Sequence, residues 1–145
     1  MTDSQNKVVD LDARQNALDT SCSIAVQAPA GSGKTELLSL RFLKLLAICQ
    51  HPEEVLAITF TKKAANEMAE RILNTLEWAQ NIDPSAIQTQ LDHDRYEIAN
   101  SVLLQDKEMS WQLQQSTNRL RIQTIDSFCN FLASRLPILS NFGGP

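Results

Sequence analysis

The chain has 145 residues, 43% of them hydrophobic and 21% charged, the composition of one globular domain able to bury a core without disulfide or metal staples. Thirteen Lys and Arg against seventeen Asp and Glu leave a net charge of -4, which excludes a chain held to nucleic acid mainly by overall basic charge. Three scattered cysteines (Cys22, Cys49, Cys129) and two distant histidines (His51, His93) exclude a zinc site, and the cysteines read as small buried hydrophobes of a reducing compartment.

In chain order, the polar start from Met1 to Asp12 has no apolar core of a signal peptide. No run reaches the roughly 18 apolar residues of a membrane span, so a cytoplasmic protein with no membrane partner is expected. From about Leu11 a short leader helix follows, with Asp10 or Asp12 as its N-cap. Ser23–Gln27 is a short, largely apolar run that reads as a buried strand. Residues 34–48 are helical, with apolar residues around nearly the whole circumference, so the helix should pack on more than one side. Val55–Phe60 reads as a second buried strand. The next helix has Ala64, Ala65, Met68, Ala69, Ile72, Leu73 and Leu76 on one face. Residues 81–118 are polar and net acidic, without chemical signature, and read as two short helices around Ile98–Leu104. A third strand at Leu120–Thr124 leads into a helix from Asp126 to about Leu136, with Asp126 as N-cap and Pro137 as stop, before a Gly/Pro tail. Strands alternating with helices predict an α/β fold with a parallel sheet, whose ligands bind beyond the carboxyl ends of the strands.

One segment sits where such a ligand would. Ala28-Pro-Ala-Gly-Ser-Gly-Lys-Thr35, between the first predicted strand and its helix, matches GxxxxGK[ST] except that Ala28 replaces the first glycine. Gly31 and Gly33 let successive N–H groups point at one anion, and the helix adds its N-terminal dipole there. Lys34 can then reach the β- and γ-phosphates, while the Thr35 hydroxyl can ligate Mg2+. The plain alternative is a glycine-containing turn with an exposed lysine. Without further context, Phe60 reads as core and Lys62 and Lys63 as a solvated pair. Arg119 and Arg121 read either as phosphate contacts or as protection of a strand edge.

Thr59-Phe-Thr-Lys-Lys-Ala-Ala-Asn-Glu-Met-Ala-Glu-Arg-Ile72 resembles the TFTxxAAxEMxxRI motif of superfamily 1 DNA helicases of the UvrD/Rep type. Ile122-Gln-Thr-Ile-Asp-Ser-Phe-Cys129 resembles their next motif, TxHxF. The wider wording (AxRxxAL, QAPAGSGKTELL, RLRIQTIDSFC, PxLSxFG) is most similar to the AddA/RecB branch of ATP-dependent helicase–nucleases, over about residues 10–142. The resemblance implies a P-loop NTPase (RecA-like) parallel sheet with flanking helices, incomplete because it lacks the Walker B strand onward. Ala28, Pro29, Ala30, Gly31, Ser32, Gly33, Lys34 and Thr35 would hold Mg–ATP. Thr59, Phe60, Thr61 and Lys62 would line a single-stranded DNA track, extended by Thr124, Ser127 and Phe128. The organisation implied is a leader (1–22), the phosphate loop and second motif (23–80), a polar helical excursion (81–118), the third motif (119–136) and a tail (137–145).

Two substitutions depart from the family pattern. Its adenine-reading glutamine lies three residues before an Ala-aliphatic pair; counting back from Ala17 lands on Arg14, with Gln15 beside it. An amide donates and accepts toward adenine, whereas arginine only donates and can stack. The family's third-motif histidine is Asp126 here. No Asp-Glu pair follows an apolar strand, so these residues alone are expected to bind Mg–ATP without hydrolysing it usefully or unwinding DNA. The resemblance places the Walker B strand beside the phosphate-loop strand, so an exposed apolar sheet edge is expected as well. The function implied is the ATP-binding part of a 3′–5′ DNA helicase, linked to nuclease activity in double-strand break repair. Its partners would be single-stranded DNA, the remainder of the helicase and a nuclease subunit. The alternatives are a standalone nucleotide- or partner-binding module and a small P-loop kinase.

Overall fold

A computed structural model of the protein describes residues 12–136. In chain order these form helix α1 (12–17), α2 (Lys34–Leu46), strand β1 (Leu56–Thr59), α3 (Lys62–Asn81), α4 (Gln90–Met109), β2 (Arg121–Thr124) and α5 (Ile125–Arg135). The Asp10 cap, the Pro137 stop and the tail lie outside the described residues. Among those described, no helix is long and apolar enough to cross a membrane.

β1 and β2 pair in parallel, with Leu56 opposite Arg121 and Thr59 opposite Thr124. Parallel neighbours need a crossover, and α3, which packs on both strands, is part of it. Because side chains alternate across a strand, Ala57 and Ile122 face the core while Leu56 and Ile58 lie on the opposite face. That opposite face is open, with Ile58 46% exposed. β1 is thus half-buried rather than buried.

Ser23–Gln27 does not form a strand. It is exposed and carries no ladder to β1 or β2, leaving Ile24 and Val26 37% and 42% exposed. Its apolar pattern is what a buried strand would carry, but a strand exists only when a neighbour satisfies its N–H and C=O groups. The sheet among the described residues is therefore two-stranded, and the α/β class stands on a small parallel sheet with helices.

The core is made mostly of helices. Leu43 and Leu46 of α2, Ile72 and Leu76 of α3, Val102 of α4 and Leu113 are almost wholly excluded from solvent, each contributing roughly 1.5–3 kcal/mol by burial. The α3 stripe faces the core, with Ala65, Met68, Ile72 and Leu76 buried and Ala64, Ala69 and Leu73 half-buried. α2 buries Leu40, Phe42, Leu43 and Leu46 but leaves Leu38 50% exposed, so its apolar residues are not all used. The 81–118 region holds a 3-10 turn at Pro84–Ala86, one 20-residue helix and the start of a second 3-10 turn at Thr117–Arg119, rather than two short helices. α4 buries only Ala99 and Val102, too few to stand out in the sequence. Side-chain hooks beyond periodicity hold the region in place: Gln105 Nε2 donates to Cys49 O at 2.9 Å and Trp111 Nε1 to Gln50 O at 3.1 Å. Cys49 is buried, but Cys22 and Cys129 are exposed, so an apolar neighbourhood in sequence misplaced two of the three.

The N-cap of α5 is Thr124 rather than Asp126. Its Oγ1 accepts from Ser127 N at 3.2 Å, and Asp126 sits exposed in the first turn, where it favours the helix dipole.

Arg119 settles on structure rather than phosphate. Its Nε and Nη2 meet Glu53 Oε1 and Oε2 at 2.7 and 3.2 Å, and Nη1 donates to Trp111 O. The hydrogen bonds from Arg119 hold the Glu53 carboxyl below its ordinary range. A lowered folded pKa stabilises above the unfolded pKa, and that contribution is lost as pH falls through the folded value. Glu53→Gln should therefore lower stability at neutral pH by about 0.5–1 kcal/mol, because the pair is partly exposed. Denaturant midpoints of variant and wild type should converge as the carboxyl protonates, and a gap independent of pH would refute the pairing.

Candidate functional site

The Ala28–Thr35 loop forms between the extended segment and α2. Gly31 and Gly33 have φ of 79° and 83°, a left-handed conformation that glycine adopts without a Cβ clash. Gly33 is the N-cap of α2 and Leu37 N bonds back to its carbonyl, so the loop closes directly onto the helix N-terminus. Lys34 is half-buried, and its Nζ folds back over the loop to Ala28 O and, at 2.6 Å, to Pro29 O. This is not the solvated lysine of a plain turn. Thr35 is exposed at the start of α2. Ser32 Oγ is buried and finds no partner among the described residues, an orphaned donor of the kind a ligand oxygen satisfies.

Above the loop stands the leader. Arg14 Nη2 donates to Ser32 O at 3.1 Å, and a Cβ on Gly33 would lie 3.3 Å from that same nitrogen. Gly33 is thus favoured by its φ, and a Cβ there would press only on the end of the Arg14 side chain. Gln15 points elsewhere, into clefts shared with Leu18, Lys44 and Asp94. A cavity of about 240 Å³ runs from α1 past 24–28 to the loop.

The leader is held there by Arg41, whose guanidinium donates to Ala17 O, Asp19 O and Cys22 O, each at 2.7 Å. These bonds occupy carbonyls at and beyond the end of α1, which would otherwise lack partners. Sequence reasoning missed Arg41. Nothing in a helix-borne arginine 19 to 24 residues downstream of its acceptors signals such a tether.

The other two motifs meet at the carboxyl edge of the sheet, where Thr59 is opposite Thr124. Thr61 caps α3, its Oγ1 accepting from Ala64 N at 3.1 Å, and Thr59 Oγ1 donates to Thr61 O at 3.0 Å. Thr124 is buried and shares a 2.9 Å bond with Ser127 Oγ. These hydroxyls shape the two turns. Phe60, between the threonines, is 88% exposed, so the core reading of this residue fails. Its ring is held out on the tight turn between the end of β1 and α3. Lys62 is exposed beside it, whereas Lys63 lies 3.8 Å from Glu67 one turn on. Phe128 is partly buried. Among the described residues no group of His, Cys, Asp and Glu could hold a metal ion by itself.

Residues 10–140 match the family model of the UvrD/REP helicase N-terminal domain. The chain is similar to an ATP-dependent helicase/nuclease subunit of Clostridium perfringens, with 43% identity over 75 residues, 48% of this chain and 6% of the relative. The same-named protein of Clostridium botulinum is 38% identical over 111 residues, 74% of this chain and 7% of the relative. That of Desulfitobacterium hafniense is 35% identical over 120 residues, 81% and 7%. The chain therefore spans 6–7% of the length of these relatives. No solved structure matches it.

Proposed function

The chain belongs to the UvrD/REP helicase N-terminal domain family, and from that premise we propose that it is the ATP-binding part of the first motor domain of a 3′–5′ DNA helicase. The helicase would be linked to nuclease activity in double-strand break repair, working in the cytoplasm with a nuclease subunit.

The phosphate loop carries this reading: two glycines at positive φ, a lysine folded onto the loop and an orphaned serine hydroxyl surround one point at a helix N-terminus. Backbone N–H groups there are suited to a polyphosphate. Lys34 would exchange its contacts with Ala28 O and Pro29 O for phosphate oxygens, and the exposed Thr35 hydroxyl would hold Mg2+. Bound Mg2+ supplies charge neutralisation to the phosphates. The 145 residues contain no Asp-Glu pair after an apolar strand, so by themselves they bind Mg–ATP without productive turnover or unwinding.

Thr59, Phe60, Thr61 and Lys62, with Thr124, Ser127 and Phe128, form the single-stranded DNA face. Phe60 offers a stacking surface and Lys62 a cation for phosphate, while the threonines fix the turns that present them. The small-kinase alternative requires a basic lid over the phosphates. Residues 90–109, its nearest candidate, instead pack on α2 and α3.

The DNA face is tested with Phe60→Ala in the natural full-length protein. Loss of one stacked base, about 1–3 kcal/mol, predicts a roughly 5- to 160-fold weaker affinity for a single-stranded oligonucleotide with nucleotide affinity unchanged. Wild-type oligonucleotide affinity in the variant would remove this face from the proposal.

A further inference from the structure

We infer that Arg41 is a positioning residue for the phosphate loop: by tying down the leader it keeps Arg14 on Ser32 O, and that bond sets the Ser32–Gly33 peptide in the orientation that receives a phosphate. The inference rests on the nucleotide-binding reading above and adds what holds its loop in shape.

The loop needs an outside hold because of its own glycine. Gly33, at φ 83°, lets the peptide before it rotate with little steric resistance. Glycine thus permits the loop's conformation without fixing it. Among the described residues the peptide bonds are all trans, and in a trans peptide the C=O and the N–H point in opposite directions. Arg14 Nη2 donates to Ser32 O at 3.1 Å, so it holds the Gly33 N–H on the side away from Arg14. That N–H has no acceptor among the described residues, as suits a donor aimed at an anion. Were the peptide to turn over, a carbonyl oxygen would stand in place of the N–H and repel the phosphate.

Arg14 in turn depends on the leader. α1 covers only 12–17 and buries only Ala17, and a helix this short is marginal by itself. Arg41 supplies the missing hold through its bonds to Ala17 O, Asp19 O and Cys22 O, each at 2.7 Å. Its hydrogen bonds all go to the leader, so any effect on the loop must pass through Arg14. Arg41 and the loop also share a helix, since Gly33 is the N-cap of α2 and Arg41 lies about two turns along it. Helix, leader, Arg14 and loop therefore close a ring of contacts. Opening that ring at Arg41 releases the Ser32–Gly33 peptide at its other end.

The experiment measures Mg–ATP and Mg–tripolyphosphate affinities by displacement of a fluorescent nucleotide in the natural full-length protein, for wild type, R41A, R41K, R14A and R14A/R41A. Tripolyphosphate has no base or sugar, so it reports on the loop alone. R41A and R14A should each weaken both ligands alike by about tenfold, the low end for one hydrogen bond to a charged group. The double variant should also lose only about tenfold, against roughly a hundredfold for independent effects. R41K should behave as R41A does, because one ammonium cannot span the three carbonyls that a guanidinium reaches. Hydrogen exchange in R41A should quicken over 12–22 while α3 stays as protected as in wild type. If R41A loosened α3 as well, R14A, which leaves the Arg41 bonds in place, would carry the test by its tripolyphosphate affinity.

Additive losses in the double variant would overturn the inference. So would wild-type tripolyphosphate affinity in R14A, or in an R41A whose α3 is intact, because the leader would then act on the base or not at all. A wild type that bound Mg–ATP but not tripolyphosphate would overturn it too. If wild type bound neither ligand, the phosphate-loop reading itself would fail, a result told apart by absolute affinity rather than by differences among variants.

Discussion

Lys34→Ala is expected to weaken Mg–ATP binding by about 30- to 100-fold, measured by calorimetry or displacement of a fluorescent nucleotide. A hydrogen bond from a charged donor contributes about 1.5–3 kcal/mol, and two phosphate oxygens lie within reach of one ammonium. Part of that gain is offset, because Lys34 must leave Ala28 O and Pro29 O to meet the ligand. For the same reason the empty variant loses little: those carbonyls belong to a loop open to water. Thermal unfolding of Lys34→Ala should therefore stay near wild type while ligand-induced stabilisation disappears. Lys34→Arg should not restore binding, since the nest admits a compact ammonium and a planar fork is wider. Unchanged nucleotide affinity in Lys34→Ala would end the phosphate-loop proposal.

Ile72→Ala should destabilise the protein by about 3–4 kcal/mol, within the range for truncating a buried aliphatic side chain. Ile72 is fully buried in α3, in a cluster with Leu43, Leu46 and Val102, so the cavity left behind has walls from three helices and little freedom to collapse. Against a total stability of about 5–15 kcal/mol for an ordinary domain, that loss moves a urea midpoint far toward zero. Leu38→Ala, on the same kind of residue but half-exposed, should cost well under about 1 kcal/mol. Similar midpoints for the two variants would place the core elsewhere. Because α3 also carries the Thr61 cap and packs on both strands, loosening it should disturb the turn that presents Phe60. Ile72→Ala should accordingly reduce oligonucleotide binding along with stability, unlike Phe60→Ala.

Features whose cause is local are legible in the sequence. The α3 stripe is spaced for one helix face, and any packed partner would bury it. Gly31 and Gly33 point to a left-handed turn because that use of glycine explains them before Lys34 and Thr35, and both have positive φ. β2 and α5 follow from a short β-branched run that meets a hydroxyl and a helical pattern. Choosing the cap is harder, as Thr124 and Asp126 both carry a suitable oxygen. The one whose backbone is extended at the boundary takes the role, and its φ and ψ are -77° and 159°.

By itself, then, the sequence determined the α/β class, the glycine turn that opens α2 and the helices with a clear apolar face, since these depend on spacing and backbone preference within a dozen or so residues. Tertiary structure alone decided which apolar residues have partners. Ser23–Gln27 has strand composition but no ladder, and α4 has little apolar contrast yet covers the core through Ala99 and Val102. It also decided that Arg14 rather than Gln15 faces the loop and that Arg41 binds the leader's carbonyls. It left Phe60 exposed although the ring is as apolar as any in the core. Burial, pairing and the direction a side chain faces are relations between distant segments, and no local pattern contains them.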